Sequence, residues 1–145
     1  MTEVAFHFGA PDRLAYTCRL LRKATATGAR LQVRAQVEIC AALDAALWSL
    51  GATDFISHCD DTASQDVRSR SAVLLMDSDA PVQFDFPILV NLAEDVPVGF
   101  EQFQRVIEIV STDEQDRNLA RIRWRHYTER GYTITRHDLK TRGEG

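Results

Sequence analysis

The stretch EVAFHFGAPDRLAYTCRLLRKATATGARLQVRA, residues 3–35, decides the fold of this chain. Its apolar beginning, Val4–Phe8, predicts a strand that ends at a Gly-Ala-Pro turn. Asp12 is a typical helix N-cap, and the helix it begins should end near Thr27, because a glycine follows directly. A second apolar segment, Leu31–Ala35, predicts another strand. The order strand, helix, strand favours a parallel pair of strands.

The alternation of strands and helices continues beyond residue 35. Further strands are predicted at Asp54–Ile56, Ala72–Met76, Ile88–Leu92, Arg105–Val110 and Tyr132–Asp138. Further helices are predicted from about Val37 to Leu50, as a short turn at Phe100–Phe103, and from Ser111 to Gly131, with Ser111 and Glu114 at capping-box spacing. The polar, aperiodic segment Ser57–Ser71 is interpreted as a mobile loop.

These patterns predict an α/β protein. Continuous apolar strands are typical of parallel sheets that are covered on both faces. We therefore expect a single-domain, Rossmann-like three-layer fold, with a mostly parallel sheet and helices on both faces. The domain should span residues 1–140, with residues 141–145 as a frayed C-terminal tail.

Charge is distributed unevenly along the 145 residues, whose net charge is −4. Residues 117–145 hold eight Lys/Arg and three Asp/Glu, whereas the first 116 residues hold nine and eighteen. A basic patch on an acidic body predicts a specific anionic partner more than general nucleic-acid binding. Three widely spaced cysteines without a CxxC pair, and the lack of a long apolar run, lead us to expect a cytoplasmic protein.

The basic segment RNLARIRWRHYTERGY, residues 117–132, is the clearest candidate for a binding site. On a helix, Arg117, Arg121 and Arg125 form one ridge with Trp124 beside it. Such a helix is usually only a solvated basic face, but a tryptophan among the arginines favours a pocket. Arginines bind carboxylates in pairs, so an acidic peptide with a terminal aromatic residue would fit. The residues expected to face the core are Leu119, Ile122 and Tyr127.

Other chemistry is poorly supported. The first strand–helix turn, FGAPDR, has one glycine and a proline without an N–H, and the chain has no GxxxxGK[ST] motif, so no bound nucleotide is expected. His58–Asp61 holds metal-binding residue types, but adjacent residues cannot all reach one ion. Cys18 and Cys40 are expected to be small core residues. We expect no catalytic residue, no metal and no cofactor.

Two segments resemble a known family. They are LARIRWRHYTERGY, Leu119–Tyr132, and ALDAALWSLGATDFISH, Ala42–His58, with weaker agreement at Ile88–Leu92 and Phe100–Val110. Together they make the chain similar to the chi subunit of bacterial DNA polymerase III holoenzyme. The resemblance spans most of the chain, and only the combination of motifs is specific. It implies a non-enzymatic clamp-loader accessory subunit with a Rossmann-like fold.

The resemblance also implies two partners. One is the acidic C-terminal tail of single-stranded DNA-binding protein (SSB), and the other is the psi subunit of the clamp loader. The residues implied for the SSB tail are Arg117, Arg121, Trp124, Arg125, Val110, Gly131 and Tyr132. Those implied for psi are Trp48, Phe55 and Ile56. Burial in the core is the alternative for all three, and for Trp48 it is an equal one. Ser57 departs from the family, which often has proline there.

Three other functions stay open on the sequence alone. The basic helix could bind single-stranded nucleic acid directly, although the acidic remainder of the chain argues against this. A small nucleotide-dependent enzyme is disfavoured by the missing phosphate loop. A chi-like adaptor for a repair helicase would use the same surfaces as a polymerase subunit, so the sequence does not separate the two.

Overall fold

The computed structural model describes residues 2–49, 56–80, 83 and 85–139. Strands and helices alternate along these residues. The strands are β1 Glu3–Ala10, β2 Leu31–Ala35, β3 His58–Asp60, β4 Val73–Asp77, β5 Ile88–Asn91, β6 Arg105–Ser111 and β7 Ile134–Asp138. The helices are α1 Arg13–Ala26, α2 Val37–Trp48, α3 Gln65–Arg70 and α4 Glu114–Glu129, with a short 3-10 helix at Phe100–Gln102.

Within the described ranges, the seven strands form one sheet in the order β3-β4-β2-β5-β6-β1-β7. The strand pairs are all parallel, so the predicted α/β, Rossmann-like fold is confirmed, and the sheet is fully parallel there. β1 lies between β6 and β7, although β7 is more than 120 residues away in sequence. This pairing places the first and the last of the described strands side by side at one edge of the sheet.

The two faces of the sheet are covered by different helices. Along β6, Ile107 and Ile109 contribute to the core on the face that α1 and α2 cover. Val106 and Val110 contribute to the other core, against α4 and the 3-10 helix. This alternation follows from the two-residue period of a strand and produces the three predicted layers.

The helix ends are largely those that the sequence indicates. The Asp12 side chain accepts a hydrogen bond from the Ala15 N–H at 3.1 Å, and Gly28 after α1 has a φ of +89°. The capping box predicted at Ser111 is wrong. Ser111 still pairs with Ala10 in β6, and α4 is capped two residues later by Asp113, which accepts from the Asp116 N–H at 3.0 Å.

The prediction of a loop over Ser57–Ser71 is also wrong. β3 pairs with β4. Without β3, the backbone groups of β4 would be exposed at the edge of the sheet. α3 follows, capped by the Ser64 side chain. Both elements are too short to produce a clear hydrophobic period, so the sequence pattern missed them. Of the strand predicted at Asp54–Ile56, the first two residues lie outside the described residues, and residue 56 is not in a strand.

Candidate functional site

The shape of the site depends on which face of α4 packs against the sheet. Its fully buried residues are Ala120, Arg123 and Tyr127, which recur at helical spacing. Ile122 is 62% exposed, so the expectation that it faces the core is wrong. An arginine takes the inward position because β6 presents a buried carboxylate, Glu108, opposite it.

Glu108 is the centre of a buried polar network on this face of the sheet. Arg123 Nε donates to Glu108 Oε1 at 2.9 Å, and the Tyr127 hydroxyl donates to Oε2 at 2.7 Å. Asn91 Nδ2 donates to the same carboxylate at 3.0 and 3.1 Å, and Arg34 Nη1 donates to Asn91 Oδ1. The network thus joins β2, β5, β6 and α4.

The network is almost completely dry. Glu108 and Tyr127 are 0% exposed and Arg123 is 1% exposed. Burial raises the pKa of Glu108, against the opposing effects of Arg123, Tyr127 and Asn91. Burial, followed by the neighbouring Glu108 charge, raises the pKa of Tyr127 as well, so its hydroxyl stays a donor. The contacts of Arg123 and Tyr127 hold α4 in one rotation about its axis.

That rotation opens a groove on the flank of α4. The groove has a volume of about 560 Å³. It is lined by Phe8, Arg117, Arg121, Trp124, Arg125, Thr128, Glu129 and Arg136. One wall is therefore α4, and the other is the edge formed by β1 and β7.

The floor of the groove is aromatic. Trp124 and Phe8 are half-buried, with ring centres 5.9 Å apart. Beneath them, Phe6 is fully buried and lies 5.1 Å from Trp124 and 5.6 Å from Phe8. The two half-buried rings therefore rest on the core and offer an apolar surface to a ligand.

The rim of the groove is basic. Its four arginines are exposed, and Glu129 is the acidic residue among them. Arg117 to Glu129 covers thirteen residues of α4, or about 18 Å along the helix axis. An extended peptide of about five residues spans this length. Arginine forks around an aromatic floor suit a short peptide that carries both carboxylates and an apolar side chain.

Four of the residues that the sequence predicted for this site meet in the groove, namely Arg117, Arg121, Trp124 and Arg125. Val110 is fully buried in the core beneath α4. Gly131 follows the end of α4 with a φ of +86°, and the Tyr132 ring packs against Phe100 at 5.2 Å. These three residues are not among those that line the groove.

Sequence reasoning missed the wall that faces α4. Phe8 shares a strand face with Val4 and Phe6, and Arg136 shares one with Ile134, so two-residue periodicity indicates the side on which each lies. Periodicity does not say which helix covers that side. Thr128 and Glu129 were also missed, although both continue the ridge of Trp124 and Arg125 at a spacing of four residues.

A second exposed feature lies at the end of α2. Trp48 is 61% exposed, so the alternative that it is a core residue is wrong. Its ring lies 4.9 Å from that of His58, whose Nε2 is 3.1 Å from Asp44 Oδ1. Ile56 is 4% exposed and packs in the main core, and Phe55 lies outside the described residues.

Other candidate chemistry gains no support. In the parts of the chain that the structure describes, no three His, Cys, Asp or Glu side chains are placed to hold a metal ion. Burial raises the pKa of the Cys40 thiol to about 11 and also raises that of Cys18, so both are poor nucleophiles. None of the described helices combines the length and the apolar character needed to cross a lipid bilayer.

Comparison with known proteins decides the family. Residues 1–135 match the family model described as "DNA polymerase III chi subunit, HolC". The chain belongs to the chi-subunit family of DNA polymerase III. It is also 32% identical over 144 residues to the DNA polymerase III subunit chi of Pseudomonas aeruginosa, with 96% of this chain and 98% of that protein covered. A member of the chi family is an accessory subunit in DNA replication.

Solved structures of different function share the fold. The C-terminal domain of the DEAD-box protein Dbp5 superposes with a TM-score of 0.59 and 14% identity, over 95% of this chain and 91% of that one. A variant of the S. cerevisiae Dbp5 C-terminal domain bound to Gle1 and IP6 gives a TM-score of 0.56 and 14% identity, over 94% and 90%. At this identity the likeness concerns the fold alone.

Proposed function

We propose that this chi-family protein binds the acidic C-terminal tail of SSB in the groove beside α4 and links it to the clamp loader through psi. The terminal phenylalanine of the tail lies on the Trp124–Phe8 floor. Arg121 holds the terminal carboxylate, and Arg117 and Arg125 attract the upstream aspartates. The protein acts as an adaptor and has no catalytic site of its own.

The observation that carries the proposal is the union of an aromatic floor and a basic rim in one groove. Neither part would be selective alone, because a basic rim attracts any anion and an apolar floor attracts any apolar group. A tail with acidic residues and a terminal aromatic residue matches both parts at once. The rest of the chain is acidic, which disfavours nucleic acid as the main ligand.

The expected affinity is modest. Burial of one phenylalanine contributes about 1.5–3 kcal/mol, and each charge-assisted hydrogen bond contributes about 1.5–3 kcal/mol. After the cost of ordering the peptide, a Kd on the order of micromolar remains, or about −8 kcal/mol. Many SSB tails on one coated DNA strand would raise the effective concentration, so weak sites suffice for a tether.

Titration of a labelled peptide that copies the SSB tail of the same organism, followed by fluorescence anisotropy, tests this proposal. We expect micromolar binding that weakens by at least about threefold when salt rises from about 50 mM to about 300 mM, since exposed arginines are screened. The Arg121→Ala protein should bind at least about tenfold more weakly.

Arg130→Ala is the matched control, because it removes the same charge at the end of α4 from a residue outside the groove lining. Its affinity should stay within about twofold of the wild type. A salt-independent Kd would contradict the electrostatic account. If the intact tail does not bind at high micromolar protein, the groove serves another anion, and single-stranded DNA would be titrated next.

The psi contact is proposed for the surface around Trp48. A tryptophan that is 61% exposed and rests against His58 is the kind of anchor that dominates protein interfaces. A helicase subunit could dock on the same surface, and the experiment below separates these partners.

Trp48→Ala should abolish co-purification with psi or the clamp loader and leave SSB-tail binding unchanged, because the residue does not line the groove. Size-exclusion chromatography of the mixed purified proteins measures the complex. If the variant still forms the complex with psi, this assignment is contradicted. If the variant still binds psi but no longer binds a repair helicase, the adaptor alternative is favoured.

A further inference from the structure

Among the described residues, Arg136 is the basic residue that reaches the groove from outside α4. It lies on β7, where its backbone is level with Phe6 of β1. Its guanidinium carbon stands 4.7 Å from the centre of the Phe8 ring, and its side chain is 60% exposed. The 3.8 Å between Arg136 Nη2 and Asp138 Oδ2 is too long for a hydrogen bond.

The contact with Phe8 fixes where this arginine can act. A guanidinium carries its N–H donors outward in its own plane, so one that is held over a ring still has donors to offer to a ligand. Phe8 is half of the apolar floor, so the Arg136 donors lie at the edge of the surface on which an aromatic ligand side chain would rest. In the described residues, Arg136 is the groove arginine whose guanidinium lies over a ring of the floor.

The position of Arg136 matters because the last residue of a bound peptide carries a free carboxylate. A C-terminal aromatic residue carries its ring and a carboxylate on the same Cα, whereas an internal one carries a neutral amide there. When the ring lies on the floor, the carboxylate must therefore lie at the edge of the floor. Arginines on two walls, Arg121 on α4 and Arg136 on β7, can then both reach it.

We propose that Arg136 is a specificity-determining residue that reads the free carboxyl terminus of the bound peptide, together with Arg121 on the opposite wall. The inference rests on the proposed function and adds the second wall to it. Arg136 distinguishes an aromatic residue at a chain end from one inside a chain. Phe8 is its positioning residue.

A thermodynamic cycle tests the assignment. The SSB-tail peptide with a free carboxylate, and the same peptide with a C-terminal amide, are titrated against the wild type and against Arg136→Ala. Amidation should weaken binding to the wild type by about tenfold, and Arg136→Ala should weaken binding of the free acid to a similar extent. Amidation should then cost the Arg136→Ala protein clearly less than it costs the wild type, about threefold, because only Arg121 is left to bind the carboxylate.

Two variants accompany the cycle. Arg136→Lys keeps the charge but not the fork, and it should recover only part of the affinity for the free acid. Arg130→Ala, outside the groove, should show the full amidation penalty. A thermal melt of each variant confirms folding, which an exposed residue should not alter.

The outcomes separate this inference from the proposed function. If the wild type does not bind the free acid, both are overturned. If the wild type binds but amidation costs the same in wild-type and Arg136→Ala proteins, the tail site stands and the role of Arg136 is overturned. Coupling of Arg136 to an upstream aspartate instead, measured with an Asp→Asn peptide, would also overturn it.

Discussion

Replacement of Arg123 by methionine is expected to lower the free energy of unfolding by about 3–5 kcal/mol, because it leaves a buried carboxylate without its charged partner. Arg123 is 1% exposed, and its Nε is 2.9 Å from Glu108 Oε1. The backbone oxygen of Glu94 would lose its hydrogen bond from Arg123 Nη1 as well. Urea unfolding followed by circular dichroism measures the change.

The double variant Arg123→Met/Glu108→Gln serves as the control, since it removes both charges. It should be more stable than Arg123→Met alone, because the neutral amide costs less to bury than the unpaired carboxylate. A loss below about 1 kcal/mol in Arg123→Met would mean that water reaches Glu108, and the dry network described above would then be wrong.

The same variant should respond to pH. Burial already raises the pKa of Glu108 from its ordinary value of 4.5, and removal of Arg123 takes away the largest opposing effect. The folded state then binds a proton that the unfolded state has released, so stability falls as pH rises through the pKa of the folded state. Arg123→Met should therefore be least destabilised, relative to the wild type, at or below pH 4.5.

Truncation of Trp124 is expected to weaken binding of the SSB tail by roughly ten- to hundredfold, because the terminal phenylalanine loses the larger half of its floor. Trp124 rests on Phe6 and Phe8, so alanine at this position opens the floor as far as the core. Anisotropy titration of Trp124→Ala with the intact tail, and with a tail that lacks the phenylalanine, measures the effect.

The chain supplies a matched control, since Trp48 is its other tryptophan and lies outside the groove. Trp48→Ala should bind the tail as the wild type does. The Trp124 truncation and the missing phenylalanine each lower the binding free energy. The two decreases should not add, because each change removes the same contact. Full additivity would place the phenylalanine elsewhere. Trp124→Phe, which keeps an aromatic floor, should retain part of the affinity.

Much of the fold follows from local pattern. The strand at Leu31–Ala35 was predicted with its observed bounds, and α1 begins and ends within one residue of its predicted limits. These elements have clear apolar periods and strong end signals, and such signals act between neighbours in sequence. The elements that were missed, β3 and α3, have three and six residues, which is too few for a period to emerge.

Part of the candidate site could be predicted from the sequence, and part depends on tertiary contacts. The ridge of Arg117, Arg121 and Arg125 with Trp124 beside it was visible in the sequence, because positions four apart on a helix always lie together. The inward-facing residue was not, and Ile122 was predicted where Arg123 lies. Hydrophobicity favours the isoleucine, and only a buried carboxylate from another element makes the arginine the better choice.

The sequence by itself determined the longer strands and helices and the basic ridge, because each depends on spacing within one segment, and their alternation was enough to predict a mostly parallel sheet. The tertiary structure decided which way α4 faces and what lies opposite it. Glu108 on β6 determines which face of α4 is buried, through its contacts with Arg123 and Tyr127. Pairing of β1 with β7 determines what lies opposite α4, because it brings Phe8 and Arg136 together from positions 128 residues apart. Such long-range contacts leave no period in the sequence.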